Sequence, residues 1–242
     1  MENKEDIIND LLKDIKQDES VEVELPSKGF LYKFEDEDKK VVYLRPMTFE
    51  DEKHLTMIQR SAKDPANVLL ERCVSNLDVN QLTSSDKLYL ILKLREISYG
   101  DTYDARVVCP KCNAEAEIGI DISNLPVKEL PEDFVDPVIV TLPKLGKEAK
   151  VRIPRVKDEQ YFKNSKTASD QIWRFVTEVA GITDKSIIAE LIKKLPLVDI
   201  KTIINAMGVQ YGVETKIHYD CDFCGGGSII DLPINENFFN VN

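Results

Sequence analysis

Histidine is almost missing from this chain of 242 residues: His54 and His218 are the only two. A hydrolytic zinc takes three protein ligands and keeps one position open. Neither histidine stands in a His-Glu-x-x-His frame. The sequence also lacks a Walker loop and a Gly-x-Ser-x-Gly elbow. Its glycine run, Gly225-Gly226-Gly227, has neither the lysine nor the following helix of a phosphate loop, and reads as a flexible hairpin. These residues lead us to expect no enzyme. No apolar run reaches the roughly 18 residues of a membrane-spanning helix. The opening Met1-Glu2-Asn3-Lys4-Glu5-Asp6 is acidic and no apolar h-region follows it, so no secretory leader is expected. Positive charge is short as well: 32 Lys and Arg face 43 Asp and Glu, a formal net charge of -11. Met1 to Glu24 alone holds nine acids and three lysines. Such a balance argues against nonspecific nucleic-acid binding, which needs a basic face to release counterions. Neither a nucleic acid nor a membrane is expected as a partner.

What the chain does have is paired cysteine. Cys109-Pro110-Lys111-Cys112 and Cys221-Asp222-Phe223-Cys224 are two Cys-x-x-Cys steps with 108 residues between them. Together they supply four thiolates, the number a tetrahedral structural zinc takes. In a zinc knuckle the residue after the second Cys often needs positive φ, which Gly and then Asn tolerate best. Here those residues are Asn113 and Gly225. Both pairs are flanked by strand-like runs with partial alternation, Asp104 to Val108 and Glu115 to Ile120 for the first, Val213 to Tyr219 and Ser228 to Leu232 for the second. The halves also end alike, in Asn124-Leu125-Pro126-Val127 and Asp231-Leu232-Pro233-Ile234, a weak internal repeat. We therefore expect Cys109, Cys112, Cys221 and Cys224 to hold one structural Zn2+ as the two halves of a zinc ribbon. Disulfides, a redox dithiol and metal-free thiols are the rival readings. His218, three residues before Cys221, competes as a ligand but fits a strand position better. Cys73, among Val68-Leu69-Leu70 and Val74, reads as a small buried residue.

The rest of the chain reads as α+β. Ile7, Ile8, Leu11, Leu12 and Ile15 are spaced for one amphipathic helix over Glu5 to Lys16. Val21 to Leu25 alternates as a strand, Pro26-Ser27-Lys28-Gly29 turns, and Val41 to Leu44 is a second strand. Thr48 caps a helix to about Ser61 with Asp51 in its first turn, Asp64-Pro65 opens another through Asn76, and a third runs from Ser84 or Ser85 to Gly100. Leu88, Ile91, Leu92 and Ile97 are its core stripe. Beyond Asp121, strand-like pieces at Val138–Leu142 and Lys150–Ile153 precede four helix candidates, Lys157 to Phe162, Asp170 to Val179, Asp184 to Lys194 and Val198 to Met207. Trp173 and Phe175 belong in the core there. Phe238-Phe239 is either a docking tail or a cap on the ribbon. The expected division is an acidic N-terminal helix (1–20), a β and helical region (21–100), the first half-ribbon (101–125), an inserted, mainly helical subdomain (126–208), and the second half-ribbon with a tail (209–242).

Two motifs carry a resemblance. Val23-Glu24-Leu25-Pro26-Ser27-Lys28-Gly29-Phe30-Leu31-Tyr32 and Tyr43-Leu44-Arg45-Pro46-Met47-Thr48-Phe49-Glu50-Asp51-Glu52 resemble the baseplate hub and hub-assembly proteins of T-even-type contractile-tailed phages. Many of those proteins also carry one Cys-x-x-Cys near the middle and another near the C-terminus. The resemblance implies a noncatalytic part in tail morphogenesis, as chaperone or adaptor for hub or tape-measure proteins, acting in the host cytoplasm during assembly or in the virion baseplate. It carries no active site across, because Pro26, Gly29, Pro46 and Thr48 all have structural readings. A zinc-ribbon nucleic-acid or transcription accessory factor, and a structural virion component, remain as alternatives. Oligomeric state is not legible.

Overall fold

The computed structural model describes residues 3–12, 20–34, 39–58, 64–163, 168–234 and 236–239. The N-terminal periodicity produces helix α1 (Lys4–Leu12), on which Ile7 and Ile8 are exposed. The rest of the helix expected to Lys16 lies outside the described residues, as do the acidic Glu35 to Asp38 and the end of the helix expected to reach Ser61.

Alternation then sets the first hairpin. Strand β1 (Val21–Glu24) pairs antiparallel with β2 (Val41–Leu44), Val21 opposite Leu44 and Glu24 opposite Val41. Val23, Val42 and Leu44 face the core, and the acids face water. Gly29 turns at φ +69°, where a Cβ would stand 2.8 Å from the Lys40 side chain.

Three helices follow. Helix α2 (Phe49–Ile58) opens on a reciprocal cap. The Thr48 N–H and hydroxyl both donate to Asp51 at 2.9 Å, and the Asp51 N–H points back at the Thr48 hydroxyl. Helix α3 (Pro65–Cys73) has Asp64 as its N-cap and Pro65 in its first turn. It stops short of the expected Asn76. Val74 turns extended and bridges Leu44, so the chain leaves the helix to run beside β2. Helix α4 (Ser84–Tyr99) is capped by Thr83 and ends at Gly100. Its buried face is Leu90, Ile91, Leu92 and Leu94, with Leu88 and Ile97 on the flanks of the same core.

Next comes the hairpin of β3 (Thr102–Val108) and β4 (Glu115–Asp121), with every residue paired from Thr102–Asp121 to Val108–Glu115. After the short β5 (Val127–Lys128), a second body forms between residues 138 and 207. Its sheet has the order β6 (Val138–Leu142), β7 (Lys147–Val151), β8 (Val176–Val179), all antiparallel. Around it stand α5 (Glu159–Lys163), α6 (Lys185–Ile192) and α7 (Leu197–Met207).

One expected helix is corrected here. Asp170 to Val179 is a 3-10 turn over Ala168–Arg174 followed by strand β8. Phe175-Val176 is fully buried against β7, and the β-branched Val176, Thr177 and Val179 suit a strand better than a helix. Phe175 sits in this core, stacked on Phe162 with centroids 5.6 Å apart, and Trp173 packs at its margin. The chain returns through β9 (Gly212–Val213), which pairs with β5, and closes the hairpin of β10 (Lys216–Asp220) and β11 (Gly227–Asp231).

The interior is divided. One core gathers β1, β2, α3, α4 and β3 with Leu232, Phe238 and Phe239. A second lies wholly between Leu142 and Ala206. A third, small one joins the two cysteine hairpins. Phe238 and Phe239 are buried: the Phe238 ring packs edge-on to Tyr103 at 4.8 Å, and Arg95 donates to the Phe238 carbonyl at 2.6 Å. The two aromatics close the first core rather than hang free. The architecture is mixed helix with small antiparallel sheets, α+β as expected.

Candidate metal centre

Each cysteine pair lies in the turn of one hairpin, Cys109 and Cys112 between β3 and β4, Cys221 and Cys224 between β10 and β11. The turns are built alike. The Asn113 N–H donates to the Cys109 carbonyl at 2.9 Å and the Gly225 N–H to the Cys221 carbonyl at 2.8 Å. Asn113 and Gly225 take φ of +58° and +63°, as anticipated. That left-handed step turns the chain so that both sulfurs of a pair face one way.

The four sulfurs meet. All lie within 4.8 Å of one another, with Cys109 Sγ 3.9 Å from Cys224 Sγ and Cys112 Sγ 3.7 Å from Cys221 Sγ. Disulfide sulfurs would stand about 2.05 Å apart. A zinc with bonds of about 2.3 Å holds tetrahedral sulfurs about 3.8 Å apart. The spacing therefore fits four thiolates around one ion. Val107, Tyr219 and the partly buried Ile118 and Ile230 form the apolar wall, and Cys109 and Cys221 are buried.

The local donors favour thiolates. The Lys111 N–H points at Cys109 Sγ at 3.4 Å. Amides of Cys112 and Lys111 lower the Cys109 pKa. Cys221 is drawn down to about 6, first by the Tyr219 hydroxyl and then by the Cys224 amide. Among the described residues the buried Tyr219 hydroxyl has no partner in hydrogen-bond geometry, and a charged Cys221 sulfur would give it a use. Cys112 is pushed up to about 12. The Ala114 amide pulls it down, and burial and the other sulfurs outweigh that. Four clustered sulfurs cannot all ionise without a cation among them. Tyr219 was not singled out in the sequence; its signal is its place two residues before Cys221 on an alternating strand.

The remaining candidates stand apart. His218 is exposed on β10 and faces Asp220 at 3.2 Å, outside the sulfur group. Cys73 is buried in the first core, where burial raises its thiol to about 11. His54 lies on the half-exposed face of α2.

The two sequence motifs also have a place, inside the fold. The Ser27 N–H donates to Asp86 at 3.1 Å, and the hydroxyls of Tyr32 and Tyr211 converge on the other Asp86 oxygen. Asp51 is fully buried and takes Arg45 at 2.7 Å, Arg72 at 2.6 Å and the Thr48 amide. Burial alone would raise its pKa. The Arg45, Thr48 and Arg72 donors outweigh burial and hold it well below the usual carboxylate range.

The chain matches a family model described as T4 bacteriophage base plate protein over residues 29–240. No curated protein and no solved structure matches it.

Proposed function

This chain belongs to the T4 bacteriophage base plate protein family, and from that premise we propose that it is a noncatalytic assembly factor for the baseplate hub. Membership supports a structural or assembly role in the baseplate and contact with other baseplate components. The finer reading is ours: the protein acts as chaperone or adaptor for a hub or tape-measure polypeptide, with a structural Zn2+ on Cys109, Cys112, Cys221 and Cys224.

The observation that carries the noncatalytic reading is where the motif residues go. Ser27 spends its amide and Tyr32 its hydroxyl on buried Asp86, and Arg45 and Thr48 spend their donors on buried Asp51. Motif residues engaged in holding two turns support the reading of a scaffold. The docking element is α1. It is short enough to be marginal alone, carries acidic residues, and exposes Ile7 and Ile8. Such a helix suits a groove on a client, read at i, i+3 and i+4 spacing.

The test is co-expression with the phage hub and tape-measure proteins. Deleting residues 1–19 is expected to leave the circular-dichroism spectrum and melting temperature of the remainder in place, and to cut client recovery at least about tenfold, the loss of one short docking helix. Unchanged recovery would sink the role of α1. Recovery of no tail protein by the full chain would sink the assembly reading itself. The family description also favours a resident virion component, which mass spectrometry of purified tails distinguishes by finding the chain at fixed stoichiometry.

A further inference from the structure

The two halves of the chain repeat one another well beyond the cysteine turns. Val23-Glu24-Leu25-Pro26-Ser27-Lys28-Gly29 has a counterpart in Val140-Thr141-Leu142-Pro143-Lys144-Leu145-Gly146. In both, a strand enters the Leu-Pro turn, the glycine sits at positive φ (+69° and +66°), and the chain pairs back antiparallel, β1 with β2 and β6 with β7.

Each returning strand then delivers an arginine that reaches six residues ahead. Arg45 grips Asp51 at 2.7 and 3.2 Å, and Arg152 grips Asp158 at 2.7 and 2.9 Å. Each arginine also donates to the carbonyl of the next residue, Pro46 or Ile153. Each carboxylate also takes the amide three residues before it, from Thr48 or Arg155. Later, a fully buried aspartate in the first turn of a helix accepts from an amide of the Leu-Pro turn. The Ser27 N–H donates to Asp86 of α4 at 3.1 Å, and the Lys144 N–H to Asp199 of α7 at 2.8 Å. Helix α4 ends on Tyr99-Gly100, and Tyr211-Gly212 follows a few residues beyond α7, with glycine φ of +98° and +103°. In each, the first knuckle cysteine comes nine residues after that glycine.

The contacts across the halves are reciprocal. The first cysteine of each pair faces the second of the other. The Pro233 carbonyl accepts from the Tyr103 hydroxyl at 2.9 Å and the Pro126 carbonyl from the Glu214 N–H at 2.8 Å, so each half offers the same acceptor to the other although the donors differ. Pro126 and Pro233 are the matching Leu-Pro ends of the two half-ribbons. Reciprocal use of one surface is the mark of a two-fold interface.

We infer that the chain is a fused pseudo-dimer: two copies of one module, residues 21–126 and 138–234, joined about a local two-fold axis, with the four-cysteine centre as their clasp. The segment between the knuckles is then no insertion. It is the body of the second module, with its own core between Leu142 and Ala206. The family match spans both modules, so the pair is the unit the family describes. Fusing the copies makes their association intramolecular and independent of protein concentration. The copies have diverged at their aspartates. Asp51 has a second arginine, Arg72, and Asp86 borrows Tyr211 from the other module. Only the ion in the clasp rests on the zinc reading proposed above; the duplication does not.

Hydrogen exchange by mass spectrometry on the full chain tests this. Asp199→Ala is expected to speed exchange about tenfold in 138–207, the loss of one buried acceptor, and to leave 21–99 within about twofold of wild type by the same measure. Asp86→Ala is expected to do the converse, together with residues 232–239, which pack on the first core. If either alanine variant fails to fold, Asp199→Asn and Asp86→Asn keep the shape and are read the same way. Equal acceleration of both bodies by either variant overturns the duplication. A chelator arm reads the clasp: loss of one ion by native mass spectrometry should expose 102–121 and 216–231 while both bodies stay protected. Protein that never carries an ion overturns the zinc reading alone, and collapse of both bodies on chelation overturns the clasp.

Discussion

Asp51 shows how a single buried charge fixes a local structure and its response to acid. Its carboxylate is fully buried, yet two arginines and a helix cap keep it ionised. A carboxylate with a lowered native pKa stabilises the fold fully above its unfolded value of about 4, and the contribution fades as the pH falls from there toward the native value. Asp51→Asn is expected to cost about 3–5 kcal/mol at neutral pH, because Arg45 and Arg72 lose their anion. Urea midpoints of wild type and variant between pH 7 and pH 3 should converge as the pH drops; a constant gap would show that the charge does not matter. Tyr32 gives a smaller case. Burial and then the Asp86 charge raise its hydroxyl pKa, so it stays a donor. Tyr32→Phe is expected to cost about 1.5–3 kcal/mol, the value of a hydrogen bond to a charged group, measurable in the same titration. The Thr48–Asp51 cap was legible in the sequence, because a capping box lies within four residues. Arg72 and Tyr211 were not, since they arrive 21 and 125 residues away from their aspartates and nothing local marks them.

At the scale of elements, the sequence was readable where the chain talks to itself. Helices α2 and α3 begin at Thr48 and Asp64, as the sequence indicates, and α4 starts at Ser84, as expected, on a Thr83 cap. The knuckles were readable because spacing, flanking strands and the φ-tolerant Asn113 and Gly225 all agree. Asp170 to Val179 was misread because Ile172, Phe175, Val176 and Val179 are buried at i, i+3, i+4 and i+7, the spacing of a helix face, and pairing with β7 overrides it. Phe175→Ala is expected to cost about 3–5 kcal/mol and to unravel β8 before α4, as seen by residue-resolved exchange; an equal loss in both would mean a single shared core. For the knuckles, Cys109→Ser is expected to abolish stoichiometric zinc in native mass spectrometry, whereas Cys73→Ser should leave it in place. Retained zinc in the first variant would rule out the four-sulfur site.

For the molecule as a whole, the cores, not the linear order, set the boundaries. The sequence suggested one stem with a helical insertion. The hydrogen-bond pattern supports two related bodies, a relation the sequence marks only in short stretches: Leu-Pro-Ser-Lys-Gly and Leu-Pro-Lys-Leu-Gly share three residues of five, and their amides serve equivalent aspartates. The net charge of -11 keeps the molecule apart from polyanions and open to basic surfaces. The burial of Phe238 and Phe239 has a consequence in time. The core that Val23 and Leu25 begin is not complete until those two aromatics have been made, and the sulfur cluster not until Cys224 has. On the ribosome the second body can close first, while the earlier-made half waits with an open seam. Cys224 and the nearby Phe238 and Phe239 thus close the sulfur cluster and the first core within one short stretch of chain.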